Sequence, residues 1–119
     1  MRNNRKDERK KIMTFTPVND LHTNILLGYL GDLTVQGAMM VGEKPVEIDR
    51  KLTLVIDFPV ASEVPAIRLT IPARVVWCRQ EEHRTYYHTG LEFQEMTEQN
   101  KKIIEAILEK YHFNRKKPA

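Results

Sequence analysis

Two short stretches of this chain set chemically capable residues at useful spacing. The first is Arg5-Lys6-Asp7-Glu8-Arg9, which places two arginines with three residues between them near the N-terminus. A guanidinium is a planar fork of N–H donors, and it fits the paired oxygens of a phosphate or carboxylate. The second is Asp32-Leu33-Thr34-Val35-Gln36-Gly37. An ionised aspartate only accepts hydrogen bonds, whereas a threonine hydroxyl donates and accepts. Each stretch also has a purely structural reading. Basic termini are commonly solvated tails. Asp and Thr side chains cap local backbone N–H groups in turns, and glycine tolerates positive φ.

The net charge of +3 is unevenly distributed. Arg2, Arg5, Lys6, Arg9, Lys10 and Lys11 crowd the start, and Arg115, Lys116 and Lys117 crowd the end. A basic arm of this kind attracts nucleic acid, a membrane surface or a phosphorylated small molecule.

Other chemistry is sparse. The sequence has no glycine-rich phosphate loop, no nucleophile elbow and no HExxH pattern. His22, His83, His88 and His112 do not pair with one another or with Cys78 at confident metal spacing. Cys78 follows Trp77 in a strand-like run and reads as a small buried hydrophobe. An enzyme is therefore not expected, nor a metal or cofactor. A single cysteine fits a reducing cytoplasm. The polar, basic start contains no signal-peptide core. No stretch approaches the ~20 apolar residues that span a bilayer, so membrane insertion is not expected.

The elements that must position these residues are mostly strands. After an arm over residues 1–11, short strands are expected at Ile12–Phe15 (closed by Pro17), Thr23–Tyr29 (broken by Gly31 and Asp32) and Ala38–Val41. Lys51–Phe58 is clearest, because Leu52, Leu54, Ile56 and Phe58 recur at period two. Pro59, Ser62 and Pro65 mark a loop. Ile67–Cys78 is a long strand whose Pro72 demands an edge or a bulge. Gln80–Arg84 reads as a hairpin loop before a last strand, Tyr86–Phe93. A helix over about 97–112 follows, N-capped by Thr97, with Ile103, Ile104, Ile107, Leu108 and Tyr111 on one face. Residues 113–119 form a basic tail. The fold class is all-β with a C-terminal helix, a small barrel or sandwich in a single domain over 12–112.

Taken in order, an RxxxR arm followed after one hairpin's length by Asp-x-Thr-x-x-Gly resembles the PilZ family of cyclic di-GMP receptors. Ala73-Arg74-Val75-Val76-Trp77-Cys78-Arg79 is similar to that family's long late strand. Thr89-Gly90-Leu91-Glu92-Phe93 is similar to its closing strand, and the likeness extends over about residues 5–112. It implies a closed antiparallel β-barrel of about six strands flanked by one amphipathic helix, in a stand-alone receptor. It implies cyclic di-GMP as ligand, bound by Arg5, Arg9, Asp32, Thr34 and Gly37, with Lys6, Trp77 and Arg79 in support. Arginine forks match the O6/N7 edge of guanine or clamp phosphate, and Asp32 suits the guanine N1–H and N2–H donors. Gly37 is expected to allow a tight turn or a close approach of backbone to base. Trp77 is either a stacking face for a base or a core residue of the barrel.

Two departures stand out: Thr34 replaces the family's usual serine, and Asn4 stands where another arginine is frequent. Ligand number is left open by the second. On this reading, ligand folds the arm against the barrel and presents a new surface to a downstream protein. Two rivals are a PilZ-like adaptor without nucleotide binding, and a small basic barrel binding RNA or single-stranded DNA. The second is disfavoured because the basic residues sit in the tails and strand aromatics are few, so DNA is not an expected partner.

Overall fold

Strict alternation in Lys51–Phe58 (β4) drives Leu52, Leu54, Ile56 and Phe58 into the interior, each less than a tenth exposed. The structure, a computed structural model, describes residues 16–58, 67–80 and 85–111. Five further strands complete the wall: β1 (Pro17–Asp20), β2 (Leu26–Leu33), β3 (Gly37–Gly42), β5 (Ile67–Gln80) and β6 (Tyr87–Phe93). All neighbours are antiparallel, and the order β1-β2-β3-β6-β5-β4 closes on itself through the β1–β4 pairing. Closure leaves no open sheet edge to manage. The interior holds Val18, Leu30, Leu33, Met40, Leu54, Ile56, Leu69, Ile71, Val75 and Leu91.

Several boundaries differ from the sequence reading. The first described strand begins at Pro17 instead of ending there. Proline is tolerated at a strand's first position, and the Thr16 carbonyl before it accepts the Leu30 N–H at 2.8 Å. Ile12–Phe15 lies outside the described residues, as does the loop with Pro59, Ser62 and Pro65. The second strand does not stop at Gly31 and Asp32 but runs through them to Leu33. Pro72 sits just beyond the last β5–β6 pair, Ala73 with Phe93, where no strand partner needs its missing N–H. Its carbonyl still accepts the Gln94 N–H at 2.8 Å.

The helix α1 (Glu98–Tyr111) begins as its cap residue dictates. The Thr97 hydroxyl accepts the Asn100 N–H at 3.1 Å, and the Thr97 carbonyl accepts the Lys101 N–H at 2.9 Å. Ile104 and Ile107 are fully buried in the core, with Ile103 and Leu108 packed beside them. Asn100 donates from Nδ2 to the Thr70 carbonyl of β5 at 3.2 Å, which ties the first turns to the wall. The side chain of Tyr111 and the tail 113–119 lie outside the described residues. No helix among the described residues is long and apolar enough to cross a membrane.

Candidate functional site

Two strand irregularities build the site. In β2 the register with β3 shifts between Leu30 and Asp32, so Gly31 is an extra residue. Leu30 and Leu33 are three apart, and simple alternation would put them on opposite faces. The bulge at Gly31 absorbs the odd residue, so both leucines enter the core, 1% and 0% exposed. Asp32 consequently faces outward. In β5 the register with β6 shifts between Val75 and Trp77, making Val76 the extra residue. Val75 stays in the core and Trp77 turns out.

These two outward residues share one transverse row. Asp32 is opposite Met39, Met39 is opposite Gly90, and Gly90 is opposite Trp77. Gly90 lets the indole lie on the wall, since a Cβ there would sit 2.2 Å from Trp77 Nε1. Trp77 is thus half-buried on the outer face and not a core residue of the barrel. The Arg79 guanidinium lies 4.9 Å from the centre of its ring, a cation–π contact.

The β2–β3 loop closes the site from one side. Thr34 Oγ1 accepts the N–H groups of Gln36 at 3.1 Å and Gly37 at 3.2 Å, and the Thr34 N–H donates to the Gly37 carbonyl at 2.8 Å. The hydroxyl's own proton has only a long contact, 3.4 Å, to the Gly37 carbonyl. Gly37 does not adopt positive φ. Its side chain is excluded for another reason: a Cβ would lie 2.2 Å from the Leu91 carbonyl oxygen of β6. Close strand approach, and not a tight turn, demands glycine here.

Asp32, Thr34, Gln36, Gly37, Met39, Trp77, Gly90 and Glu92 line a shallow depression of about 270 Å³. One Asp32 oxygen, Oδ1, accepts the Leu33 N–H at 2.9 Å. Glu92 is neutralised by Arg74, whose Nη2 donates to Oε1 at 2.9 Å, while Nη1 donates to Asp49 at 2.7 Å. Those carboxylates, Glu92 first, hold the Arg74 guanidinium above its ordinary pKa. Asp32 is left as the carboxylate of the depression with no basic partner among the described residues. Arg5, Lys6 and Arg9 lie outside the described residues. Sequence reasoning named every polar ligand candidate seen here except Gln36, and it missed the bulges. The leucine pair spaced by three around Gly31 was the available signal for the first.

No group of three or more potential metal ligands gathers among the described residues. His22 and His88 stand apart in the β1–β2 turn and β6, while His83 and His112 lie outside the described residues. Cys78 faces the Thr89 hydroxyl at 3.4 Å and accepts a 3.5 Å contact from the Val46 N–H.

The PilZ domain family's sequence profile matches residues 3–110. This chain belongs to the PilZ domain family. The barrel and helix agree with two solved structures. One is the PilZ domain with c-di-GMP of YcgR from Escherichia coli, at a TM-score of 0.62 and 11% identity, covering 82% of this chain and 80% of that one. The other is MrkH of K. pneumonia in its apo state, at a TM-score of 0.59 and 17% identity, covering 82% of this chain and 46% of that one. At such identities the likeness is one of fold. Comparison with curated protein sequences gives no match. The PilZ family is a family of cyclic di-GMP receptors, and the YcgR domain is one seen with that nucleotide.

Proposed function

We propose that this PilZ protein is a non-catalytic cytoplasmic receptor that binds cyclic di-GMP between its N-terminal arm and the outer wall at Asp32–Gly37. The observation that carries this reading is the pair of bulges that turn Asp32 and Trp77 outward into one row beside the Thr34–Gly37 loop. A carboxylate with no basic partner among the described residues suits guanine N–H donors. An indole held flat against the wall offers a face for a base. Thr34 shapes the loop with its lone pairs and keeps its weakly held proton for the ligand. Neutralised Glu92 does not repel a phosphate.

Arg5 and Arg9 supply the cationic half, clamping phosphate or the guanine O6/N7 edge, with Lys6 and Arg79 adding positive charge. Reach supports this assignment. Six residues separate Arg9 from Thr16, enough extended chain for roughly 20 Å. Thr16 is bonded to Leu30, two residues before Asp32 in the same strand. Ordering the arm costs about 1–2 kcal/mol per fixed residue. Charge-assisted hydrogen bonds of ~1.5–3 kcal/mol each offset that for several residues. The folded arm then forms part of the surface that a downstream protein reads.

Calorimetry with cyclic di-GMP on the wild type, Arg9→Ala and Asp32→Ala tests the proposal. Binding at micromolar affinity or better by the wild type, weakened at least about tenfold in both variants, is expected. No heat from the wild type at high protein concentration overturns it, in favour of an adaptor that works through protein contacts alone.

A further inference from the structure

Exposed apolar side chains are not scattered over this barrel. Six large hydrophobic residues are 41–58% exposed among the described residues: Leu21, Ile25, Leu26, Tyr29, Ile48 and Tyr86. The topology gathers them around one end. The β1–β2 turn, the β3–β4 connection and the lead into β6 all lie at that end, while the Thr34–Gln36 loop lies at the other. Single exposed apolar residues are ordinary, but a contiguous group marks an interaction surface.

The face has both relief and charge. Ile25, Leu26, Tyr29 and Tyr86 line a groove of about 840 Å³. Leu21 and Ile48 are not part of its lining but adjoin it along the chain, Leu21 between the lining residues Asp20 and Thr23 and Ile48 between Val46 and Arg50. Exposed apolar side chains and the groove therefore belong to the same end of the barrel. Its rim carries adjacent opposite charges, Glu43 with Lys44 and Glu47 with Arg50, all exposed. Arg50 is the one arginine with no side-chain partner among the described residues, since Arg68 and Arg74 hold carboxylates and Arg79 lies on Trp77.

A two-fold interface uses one patch twice, so that patch must complement itself in shape and charge. We infer that this face is where a second copy of the chain docks, Leu21 and Ile48 of each copy entering the groove of the other while Arg50 and Lys44 meet the facing Glu43 and Glu47. The proposed nucleotide site lies at the far end of the β2–β3 hairpin and stays open in such a dimer. The inference is independent of nucleotide binding.

Sedimentation velocity on the full chain without nucleotide, from about 1 to 100 μM, reads the association directly. A reversible dimer is expected, with Ile25→Glu and Ile48→Glu each raising its dissociation constant at least about tenfold. Ile48 is in a connection and more than half exposed, so its variant keeps the fold even where Ile25→Glu does not. Lys102→Glu, on the exposed side of α1, leaves the dimer unchanged. A wild type that is monomeric throughout, a dimer that Ile48→Glu does not weaken, or a dimer lost in Lys102→Glu overturns the inference.

Discussion

Asp32 and Trp77 lie in one row across four strands of the barrel wall, with Met39 and Gly90 between them. Each arrives there through a one-residue bulge, at Gly31 and at Val76, that reverses the face it would otherwise occupy. A carboxylate and an aromatic face are thus fixed on rigid strands, leaving the flanking loop to adapt.

The first prediction concerns the carboxylate. Asp32 is exposed, and its described bond is to its own neighbour's N–H. Asp32→Ala should therefore leave the midpoint of urea unfolding nearly unchanged, within ~0.5 kcal/mol of stability. It should weaken cyclic di-GMP binding about ten- to a hundredfold, the worth of one charge-assisted hydrogen bond at ~1.5–3 kcal/mol. Parallel calorimetry and urea titration separate the two effects. Equal losses in both would make Asp32 a structural residue.

A second prediction tests the seat of the indole. A Cβ at Gly90 would lie 2.2 Å from Trp77 Nε1 and 2.3 Å from Cε2, distances that force a shift. Gly90→Ala should cost about 1–3 kcal/mol by overpacking and change the emission of the sole tryptophan. In a Trp77→Ala background the same change should cost far less, since the clashing ring is gone. An undiminished cost there would show that Gly90 answers to something other than the indole.

Much of this was legible from residues, and the failures have a physical pattern. The alternation of β4 placed four core residues correctly, and Thr97 marked the helix start. The Asp32–Gly37 motif was found because its residue types carry chemistry. Gly31-Asp32 was read as a break because glycine and aspartate are poor strand formers. The pull of Leu33 into the core outweighed that preference. Trp77 was ambiguous for a related reason. Counting by twos from the core residue Val75 predicts an inward ring, and only the pairing with β6 reveals the extra residue Val76. The crowding at Gly37 was out of reach, since it comes from the backbone of Leu91, 54 residues later in β6, and cannot be read locally.

A third prediction follows from the bulge in β2. Its role is to keep Leu30 and Leu33 on one face, and glycine itself is not required for that. A Cβ at Gly31 meets the flexible tip of Met39, with Cε at 2.8 Å, so Gly31→Ala should cost less than about 1 kcal/mol. Deleting Gly31 leaves Leu30 and Leu33 only two apart, so plain alternation keeps both inward and Asp32 outward opposite Met39. The deletion should therefore cost little more than the alanine variant, within about 1–2 kcal/mol. Urea unfolding of both variants decides it. A deletion far more costly than the alanine variant would mean that residue 31 sustains more than the phase of Leu33.

The last prediction turns on Thr34, where the family's usual serine is replaced. Its hydroxyl accepts two loop N–H groups and gives its proton only a long contact. Serine offers the same oxygen without the methyl, so Thr34→Ser should fold equally well and bind cyclic di-GMP at least as tightly. Thr34→Val keeps the shape but removes the acceptor, freeing the Gln36 and Gly37 N–H groups. Because the loop is exposed, water can satisfy them, and stability should fall by only about 0.5–1.5 kcal/mol. Binding should fall further, because the loop beside Asp32 loses its fixed geometry as the ligand loses a donor. Comparing binding across serine, threonine and valine separates the methyl from the hydroxyl. If valine binds as well as threonine, the hydroxyl neither shapes the bound loop nor touches the ligand, and Asp32, Trp77 and the arm must suffice.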